Sequence, residues 1–205
     1  MFRCKVHFQT PNKRSIQKAA KVMKDGGLVI YPTDTLYGMG CSIRFKQAIQ
    51  KIYQIKGKSK FAPTSIICSS IQEASNYVRI SNYAFKVLRR CLPGPYTFIL
   101  EATREIPKLM LSKRKEVGVR IPDSQVVLEL VQELGNPIVN SSINFTEGKL
   151  LNDPDEIVKL FNNNVDLILD GGILPNPIPS TVVRIIDDIL ELQREGKGEL
   201  DKINI

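Results

Sequence analysis

From Leu28 to Gly40 the chain reads LVIYPTDTLYGMG, a short apolar run followed at once by hydroxyls, a carboxylate and two glycines. An apolar run of this length beside turn-forming residues is typical of a buried strand. In layered α/β proteins, ligands bind beyond strand ends, where loops present backbone amides and short polar side chains. Residues 33–40 are therefore a candidate site for a small polar ligand, although ordinary turns use the same residue types.

Strand-like and helix-like segments alternate on both sides of this stretch. Strands are predicted at residues 2–8, 28–31, 65–68, 96–100, 117–121, 137–140, 167–169 and 181–185. Helices are predicted within 11–26, 45–52, 70–91 and 126–134, and from Asp153, which has the spacing of a capping box with Glu156. The alternation predicts an α/β fold with helices covering a sheet in which some neighbouring strands are antiparallel. No repeat or linker divides the chain, so one domain over residues 1–205 is expected.

Composition limits the class of protein. The chain has 205 residues, with 29 Lys and Arg against 21 Asp and Glu, which gives a formal charge of +8. No apolar run approaches the roughly 18 residues that span a bilayer, and the first residues lack the apolar stretch of a signal peptide. We therefore expect a cytoplasmic protein that does not contact a membrane. The positive charge favours an anionic partner such as a nucleotide, a nucleic acid or an acidic surface.

The rarest residue types exclude several kinds of site. His7 is the one histidine, so a metal site built from several histidines is excluded, and a histidine-based triad would have to use it. Because residues 2–8 alternate between polar and apolar, His7 is interpreted as a solvated strand residue. The cysteines are widely spaced and form no Cys-x-x-Cys pair, which argues against zinc-ribbon and thioredoxin-like motifs: Cys4, Cys41, Cys68 and Cys91. Free, mostly buried thiols are expected.

Three further strand ends carry polar chemistry. Residues 56–60 place three lysines in five positions, which suits a polyphosphate, although the spacing is not that of a Walker A loop. Arg120 lies at the end of an apolar strand, and we group it with the Ser/Asn run at residues 140–144, which follows another strand. Arginine binds carboxylate or phosphate through two parallel hydrogen bonds. Ser180 directly precedes the predicted strand 181–185, and Arg194 follows that strand. Arg194 is interpreted either as a nucleotide-binding residue or as a surface residue. Turns, caps and solvated loops are the alternatives for each.

These four strand ends resemble, in order, the motifs of the YrdC-like threonylcarbamoyl-AMP synthases, a family that also includes the YciO paralogues. The matching motifs are residues 31–40, 56–58, 92–97, 119–122, 142–144, 179–183 and 194–196. Each motif alone is weak, but the ordered set is specific and covers about residues 10–197. The resemblance implies a YrdC-like fold, a twisted open mixed sheet with helices packed on it and a concave basic face. It also implies the short form of the family, without a C-terminal second domain.

The implied activity is that of an L-threonylcarbamoyladenylate synthase, a nucleotidyltransferase. It joins L-threonine, bicarbonate and ATP into threonylcarbamoyl-AMP and releases pyrophosphate, for threonylcarbamoyl modification of the tRNA adenosine next to the anticodon. Mg²⁺ would accompany ATP as part of the substrate, and no tightly bound cofactor or resident metal is implied. The implied partners are downstream tRNA threonylcarbamoyl-transfer proteins, with a contact to tRNA or double-stranded RNA.

The site residues carried over by position form two groups. The L-threonine pocket would contain Thr33, Thr35, Ile67, Arg120, Asn140 and Ser180. ATP would be held by Lys56, Lys58, Ala62, Glu116, Ser142, Asn144, Leu150 and Arg194. No catalytic residue is assigned, because displacement at the α-phosphate needs positioning and charge neutralisation more than a protein nucleophile.

Some positions depart from the usual motifs of the family. Lys58 stands in place of an arginine, Ile143 in place of a small residue, Asn140 in place of a hydroxyl-bearing residue, and Thr146-Glu147-Gly148 in place of Ser-Gly. They leave open a YciO-like paralogue or an RNA-binding protein of the same fold without synthase activity. A third alternative is carbamoyl transfer to another acceptor, since related domains occur in a much larger carbamoyltransferase with zinc-binding cysteine motifs.

Overall fold

The computed structural model describes residues 1–57, 64–111, 114–143 and 151–203. Its strands are β1 Phe2–Lys5, β2 Val29–Pro32, β3 Tyr37–Ser42, β4 Ser65–Ile67, β5 Tyr96–Glu101, β6 Glu116–Arg120, β7 Ile138–Ser142, β8 Leu167–Asp170, β9 Thr181–Ile186 and β10 Ile189–Arg194. Its α-helices are α1 Lys13–Lys24, α2 Lys46–Ile55, α3 Ile71–Ala74, α4 Asn82–Cys91, α5 Gln125–Leu134 and α6 Pro154–Phe161. Among the described residues, Lys108–Met110 and Leu200–Lys202 form 3₁₀ helices.

The strands form one mixed sheet of ten strands in the order β1-β8-β2-β3-β7-β4-β6-β5-β9-β10. The pairs β1–β8, β8–β2, β4–β6 and β5–β9 are parallel, and the remaining neighbours are antiparallel. The α/β class predicted from the alternation is therefore confirmed, including its antiparallel neighbours.

The two faces of the sheet are covered differently. One face packs against the apolar residues of α2, α3, α4 and α6 and forms the larger core. Among the described elements, α1 and α5 cover the other face, and their buried residues pack on Tyr31, Ile67 and Ile138. Because α1 and α5 cover β8, β2 and their neighbours, the strands from β7 to β9 leave a part of this second face open.

The helix starts follow local chemistry. The side chains of Asn12, Ser70, Ser81 and Asp153 each accept a hydrogen bond from a backbone N–H in the first turn of the helix they precede. Such caps satisfy donors that have no partner within the helix. Pro11, the first residue of the predicted helical segment 11–26, lies before the Asn12 cap and outside α1.

Several predicted elements are corrected by the structure. Among the described strands, β3 and β10 were not predicted. β10 follows Asp187 and Asp188, whose φ angles of 51° and 61° make a tight hairpin turn. The first strand ends at Lys5, so His7 lies beyond it, exposed, where its Nδ1 atom is 3.2 Å from the Thr10 backbone N–H that donates to it. Its prediction as a strand residue is wrong, while its solvation is confirmed.

Free thiols were expected, and the structure confirms them. Cys41, Cys68 and Cys91 are buried and Cys4 is partly exposed, with no disulfide among them. Burial raises the pKa of the Cys41 thiol to about 12. Across the described ranges, no helix is long and apolar enough to cross a bilayer.

Candidate functional site

A groove of about 810 Å³ occupies the open part of the second sheet face. Its lining comes from residues in or next to β4, β5, β6, β7 and β9, with others at α2, α6 and β10. The lining residues are Ile55, Lys56, Thr64, Ser65, Thr97, Ile99, Gly118, Arg120, Asn140, Ser141, Ser142, Leu160, Phe161, Asn164, Ser180, Val182, Gln193 and Arg194.

Strand alternation explains why polar side chains line this groove. On β5, Thr97 and Ile99 line the groove and alternate with Phe98 and Leu100, which are buried in the larger core. Gly118 also lines the groove, and a Cβ there would lie 3.0 Å from Thr97 Cγ2 and 3.2 Å from Ser65 Cβ. Glycine therefore leaves room between the side chains of Thr97 and Ser65, which both carry hydroxyls.

Arg120 is the most buried cation of the groove. Its side chain is only 3% exposed, and its Nη2 donates to Asp34 Oδ1 at 3.1 Å and to Thr35 Oγ1 at 3.0 Å. Its Nε is buried and is the one such side-chain atom without a hydrogen-bond partner in the described ranges. Burial lowers the pKa of Arg120, and the Asp34 carboxylate counteracts this in part. The guanidinium therefore retains a free donor at a site where an unpaired donor is costly.

The turn at residues 33–36 holds the partners of Arg120 in place. Thr33 Oγ1 donates to Leu36 O at 2.6 Å and accepts from the backbone N–H groups of Thr35 and Leu36. Thr33 and Thr35 are each 2% exposed and do not line the groove. Asp34 Oδ2 also accepts from the Asp123 backbone N–H at 3.2 Å. The threonines therefore lie behind Arg120 and support it.

Arg194 forms the opposite wall, at the end of β10. Its Nη2 donates to Ser180 O at 2.8 Å and lies 3.3 Å from Ser180 Oγ, which is 2.9 Å from Thr97 Oγ1. Burial lowers the pKa of Arg194, and the positive charge of Arg120 lowers it further. Two guanidinium groups thus line one groove, close enough that the charge of Arg120 disfavours that of Arg194, and an anionic ligand would offset this effect.

Asn140 lies at the centre of the floor and is fixed from two sides. Its Oδ1 accepts from the Tyr31 hydroxyl at 2.9 Å, and its Nδ2 donates to Ser65 Oγ at 3.2 Å. Gly38 is needed beside it, because a Cβ there would lie 2.6 Å from Asn140 Oδ1. The prediction that Gly38 and Gly40 belong to a ligand-holding loop is therefore corrected: they are strand residues in β3 that admit Tyr31 and Asn140.

Lys56 and Ser142 meet at another end of the groove, where Lys56 Nζ donates to Ser142 O at 2.7 Å. The strand β7 continues through Ser142, two residues further than predicted. Ile143, a departure from the family motif, is 1% exposed and lies in the larger core, on the side away from the groove. Its substitution for a small residue therefore adds no side chain to the groove.

Most of the described candidate residues come together in this groove. Those that line it are Lys56, Arg120, Asn140, Ser142, Ser180 and Arg194. Ile67 does not line it; it is fully buried in the core beneath α1 and α5. Glu116 does not line it either, and its carboxylate accepts two hydrogen bonds from Arg184, at 2.8 and 3.1 Å. The candidates Lys58, Ala62, Asn144 and Leu150 lie outside the described residues.

The sequence analysis gave no ligand-binding role to several residues that the groove or its support uses. Thr97, Leu160 and Gln193 line the groove, and Asp34 pairs with Arg120 behind it. Asp34 was included only as part of the candidate stretch 33–40, without a partner. Leu160 and Gln193 gave no signal, because nothing in the sequence near them sets them apart from ordinary surface residues of α6 and β10.

The charge of the groove restricts its chemistry. Lys56, Arg120 and Arg194 line it, whereas no Asp or Glu does so within the described ranges. Those ranges also contain no group of three His, Cys, Asp or Glu side chains that could hold a metal ion. The groove is therefore suited to bind a ligand with carboxylate or phosphate groups and to neutralise its charge.

Comparisons with known proteins show the family and the fold. A family model described as telomere recombination, for the Sua5, YciO and YrdC proteins, matches residues 21–196. YciO of Escherichia coli K12 is 35% identical over 95% of each chain, and the crystal structure of E. coli YciO matches all of both chains with a TM-score of 0.93 and 33% identity. A putative threonylcarbamoyl-AMP synthase of Methanocaldococcus jannaschii is 31% identical over 93% of this chain and 90% of its own. The structure of P. abyssi Sua5 complexed with L-threonine is 25% identical, with a TM-score of 0.88, over 96% of this chain and 58% of that one.

Proposed function

The chain belongs to the Sua5/YciO/YrdC family, and on that premise we propose that it is an L-threonylcarbamoyladenylate synthase. It forms threonylcarbamoyl-AMP from L-threonine, bicarbonate and ATP and releases pyrophosphate. Its product would pass to tRNA threonylcarbamoyl-transfer proteins. The observation that carries the proposal is the pair of arginines, Arg120 and Arg194, facing one groove that contains hydroxyls but no described carboxylate.

Arg120 is proposed to hold the threonine carboxylate. Its Nε is buried and unpartnered, while Asp34 and Thr35 occupy only Nη2. A carboxylate bound against the guanidinium would add negative charge where burial disfavours the cation. The P. abyssi relative was solved with L-threonine, which supports an amino-acid ligand in this fold.

ATP is proposed to occupy the rest of the groove. Lys56, Ser142 and Arg194 supply cations and a hydroxyl of the kind that bind phosphate oxygens. With no described carboxylate lining the groove, Mg²⁺ would enter bound to the phosphates of ATP, as part of the substrate. It would neutralise charge that develops on the departing pyrophosphate.

The chemistry needs no protein nucleophile. The amine of threonine adds to bicarbonate and loses water, which gives a carbamate. A carbamate oxygen then attacks the α-phosphorus of ATP, the bond to the β,γ-phosphates breaks, and pyrophosphate leaves with the electron pair. The groove contributes by holding the two substrates in contact and by neutralising charge, through Arg120 at one side and Lys56 and Arg194 at the other.

The test is pyrophosphate release with ATP, bicarbonate and L-threonine, accompanied by mass spectrometry of the adenylate. Release that requires threonine, together with the mass of threonylcarbamoyl-AMP, is the expected result. Arg120→Lys should raise the KM for threonine at least tenfold and change the KM for ATP less, because lysine lacks the planar fork. Arg194→Met should show the reverse preference. Folded protein that releases no pyrophosphate would refute the synthase assignment.

A YciO-like paralogue without this activity is the second candidate. It is favoured by the 35% identity to E. coli YciO, against 31% to the M. jannaschii putative synthase. The same assay separates the two, and replacing threonine by other amino acids shows whether the groove accepts a different carboxylate.

A further inference from the structure

The outer side of α1 carries a continuous stripe of positive charge. The helix reads KRSIQKAAKVMK and contains no acidic residue, and its apolar residues are buried against the sheet. At 100° per residue, its cations lie within about 140° of arc and along about 16 Å of helix. All five are exposed, and they are named here the α1 stripe: Lys13, Arg14, Lys18, Lys21 and Lys24.

The positive charges of the α1 stripe are not neutralised by acidic side chains of the described residues. None of its five cations forms an ion pair with a residue in the described ranges. Like charges three or four residues apart repel one another, and cations in a first turn also face the positive end of the helix dipole. By contrast, α6 places Asp155 and Glu156 in its first turn and Lys159 in its last. A polyanion bound along α1 would remove this repulsion.

An exposed aromatic ring lies beside the stripe. Phe2, at the start of the edge strand β1, is 63% exposed, and Lys18 Nζ lies 4.5 Å from the centre of its ring. Cations combined with an accessible ring are the usual means of holding single-stranded nucleic acid, because the cations contact phosphates while the ring stacks on a base. An acidic peptide would use the cations and leave the ring without a role.

We propose that the α1 stripe and Phe2 form a binding surface for single-stranded nucleic acid. Phosphates lie along the stripe, and one unpaired base stacks on Phe2. The surface is on the sheet face that bears the groove but beyond α5, and none of its residues lines the groove. The inference therefore stands apart from the proposed synthase activity.

The chain offers a matched control on the opposite face of the sheet. α4 exposes three cations, Lys86, Arg89 and Arg90, and an aromatic residue, Phe85, that is 44% exposed. Replacing three cations by glutamine on either helix removes the same net charge. Variant one carries Arg14→Gln, Lys21→Gln and Lys24→Gln; variant two carries Lys86→Gln, Arg89→Gln and Arg90→Gln.

Binding is measured by fluorescence anisotropy with a labelled oligouridylate of about twelve nucleotides and with an RNA duplex of equal length. The α1 variant should bind the single strand at least tenfold more weakly, with a salt slope smaller by about 2, and the α4 variant less than twofold more weakly. Phe2→Ala should weaken binding of the single strand at least threefold and leave binding of the duplex unchanged, whereas Phe85→Ala should change neither affinity. Circular dichroism checks that each variant is folded.

Several outcomes overturn the proposal. Equal losses in the two triple variants would mean that total charge, not the α1 stripe, governs binding. Base stacking would be rejected if Phe2→Ala left the affinity for the single strand unchanged and the protein bound the duplex as tightly as the single strand. Displacement of RNA by polyglutamate or by phosphatidylserine vesicles at equal charge concentration would assign the surface to an acidic protein or a membrane instead. No binding of wild-type protein at low salt would reject the surface altogether.

Discussion

Replacing Asp34 by asparagine tests the buried ion pair behind the groove. The side chains of Arg120 and Asp34 are 3% and 9% exposed, and 3.1 Å separates Nη2 from Oδ1. Asparagine keeps the size of the side chain and one acceptor oxygen but removes the negative charge. Its amide group would also face the Asp123 backbone N–H that now donates to Oδ2, so two donors would meet. Arg120 would remain buried without a counter-charge.

The expected cost follows from that geometry. Removing one partner of a buried ion pair costs about 3–5 kcal/mol, because the other charge is left uncompensated. Arg120 keeps its hydrogen bond to Thr35 Oγ1 at 3.0 Å, so the lower end applies, about 3 kcal/mol. With a urea m value of about 2 kcal/mol per molar, the unfolding midpoint falls by about 1.5 M.

Equilibrium unfolding in urea measures the effect, with Asp123→Asn as the control. Asp123 is exposed, so its variant should stay within about 0.5 kcal/mol of wild type. The double variant Asp34→Asn/Arg120→Met removes both charges and should be about 2 kcal/mol more stable than the sum of the single effects. An Asp34→Asn variant as stable as the control, or strictly additive effects in the double variant, would refute the argument.

Three further predictions concern packing and titration. Gly40→Ala should destabilise the protein by about 2 kcal/mol in thermal denaturation, since its Cβ would lie 2.5 Å from the Tyr31 hydroxyl oxygen; unchanged stability contradicts this. Alkylation of native protein at pH 8 should label Cys4 and spare Cys41, which is buried with its pKa raised to about 12; peptide mass spectrometry decides. Burial raises the pKa of Tyr96 to about 12. Because the unfolded chain then releases its proton first, stability should fall as the pH rises from about 10 to 12, and Tyr96→Phe should show a smaller fall.

Periodicity in the sequence was sufficient for most of the fold. Segments such as 96–100 and 126–134 carry patterns that match one secondary structure, and the structure places a strand and a helix there. β10 was missed because its residues are mostly exposed and its turn uses Asp187 and Asp188 where hairpins usually carry Asn-Gly. The short strand β1 was overextended to residue 8, since alternation continues after the backbone leaves the sheet.

The candidate site was likewise only partly determined by the sequence. The sequence by itself determined that cations and hydroxyls collect at strand ends, because residue type and strand termini are local properties, and the ordered motifs selected Arg120, Asn140, Ser180 and Arg194. Only the tertiary structure decided which of them face one groove, since that depends on strand order and register. It placed Thr33, Thr35 and Ile67 behind or beneath the groove.

Asp34 shows the difference most clearly. A single aspartate in a turn-like stretch is consistent with many roles, and nothing near it in sequence names its partner. The partner, Arg120, is 86 residues away and reaches Asp34 because β6 ends beside the turn that follows β2. Local sequence sets the chemistry that each segment offers, while the long-range pairing of strands sets which charges meet, and burial then makes their pairing obligatory.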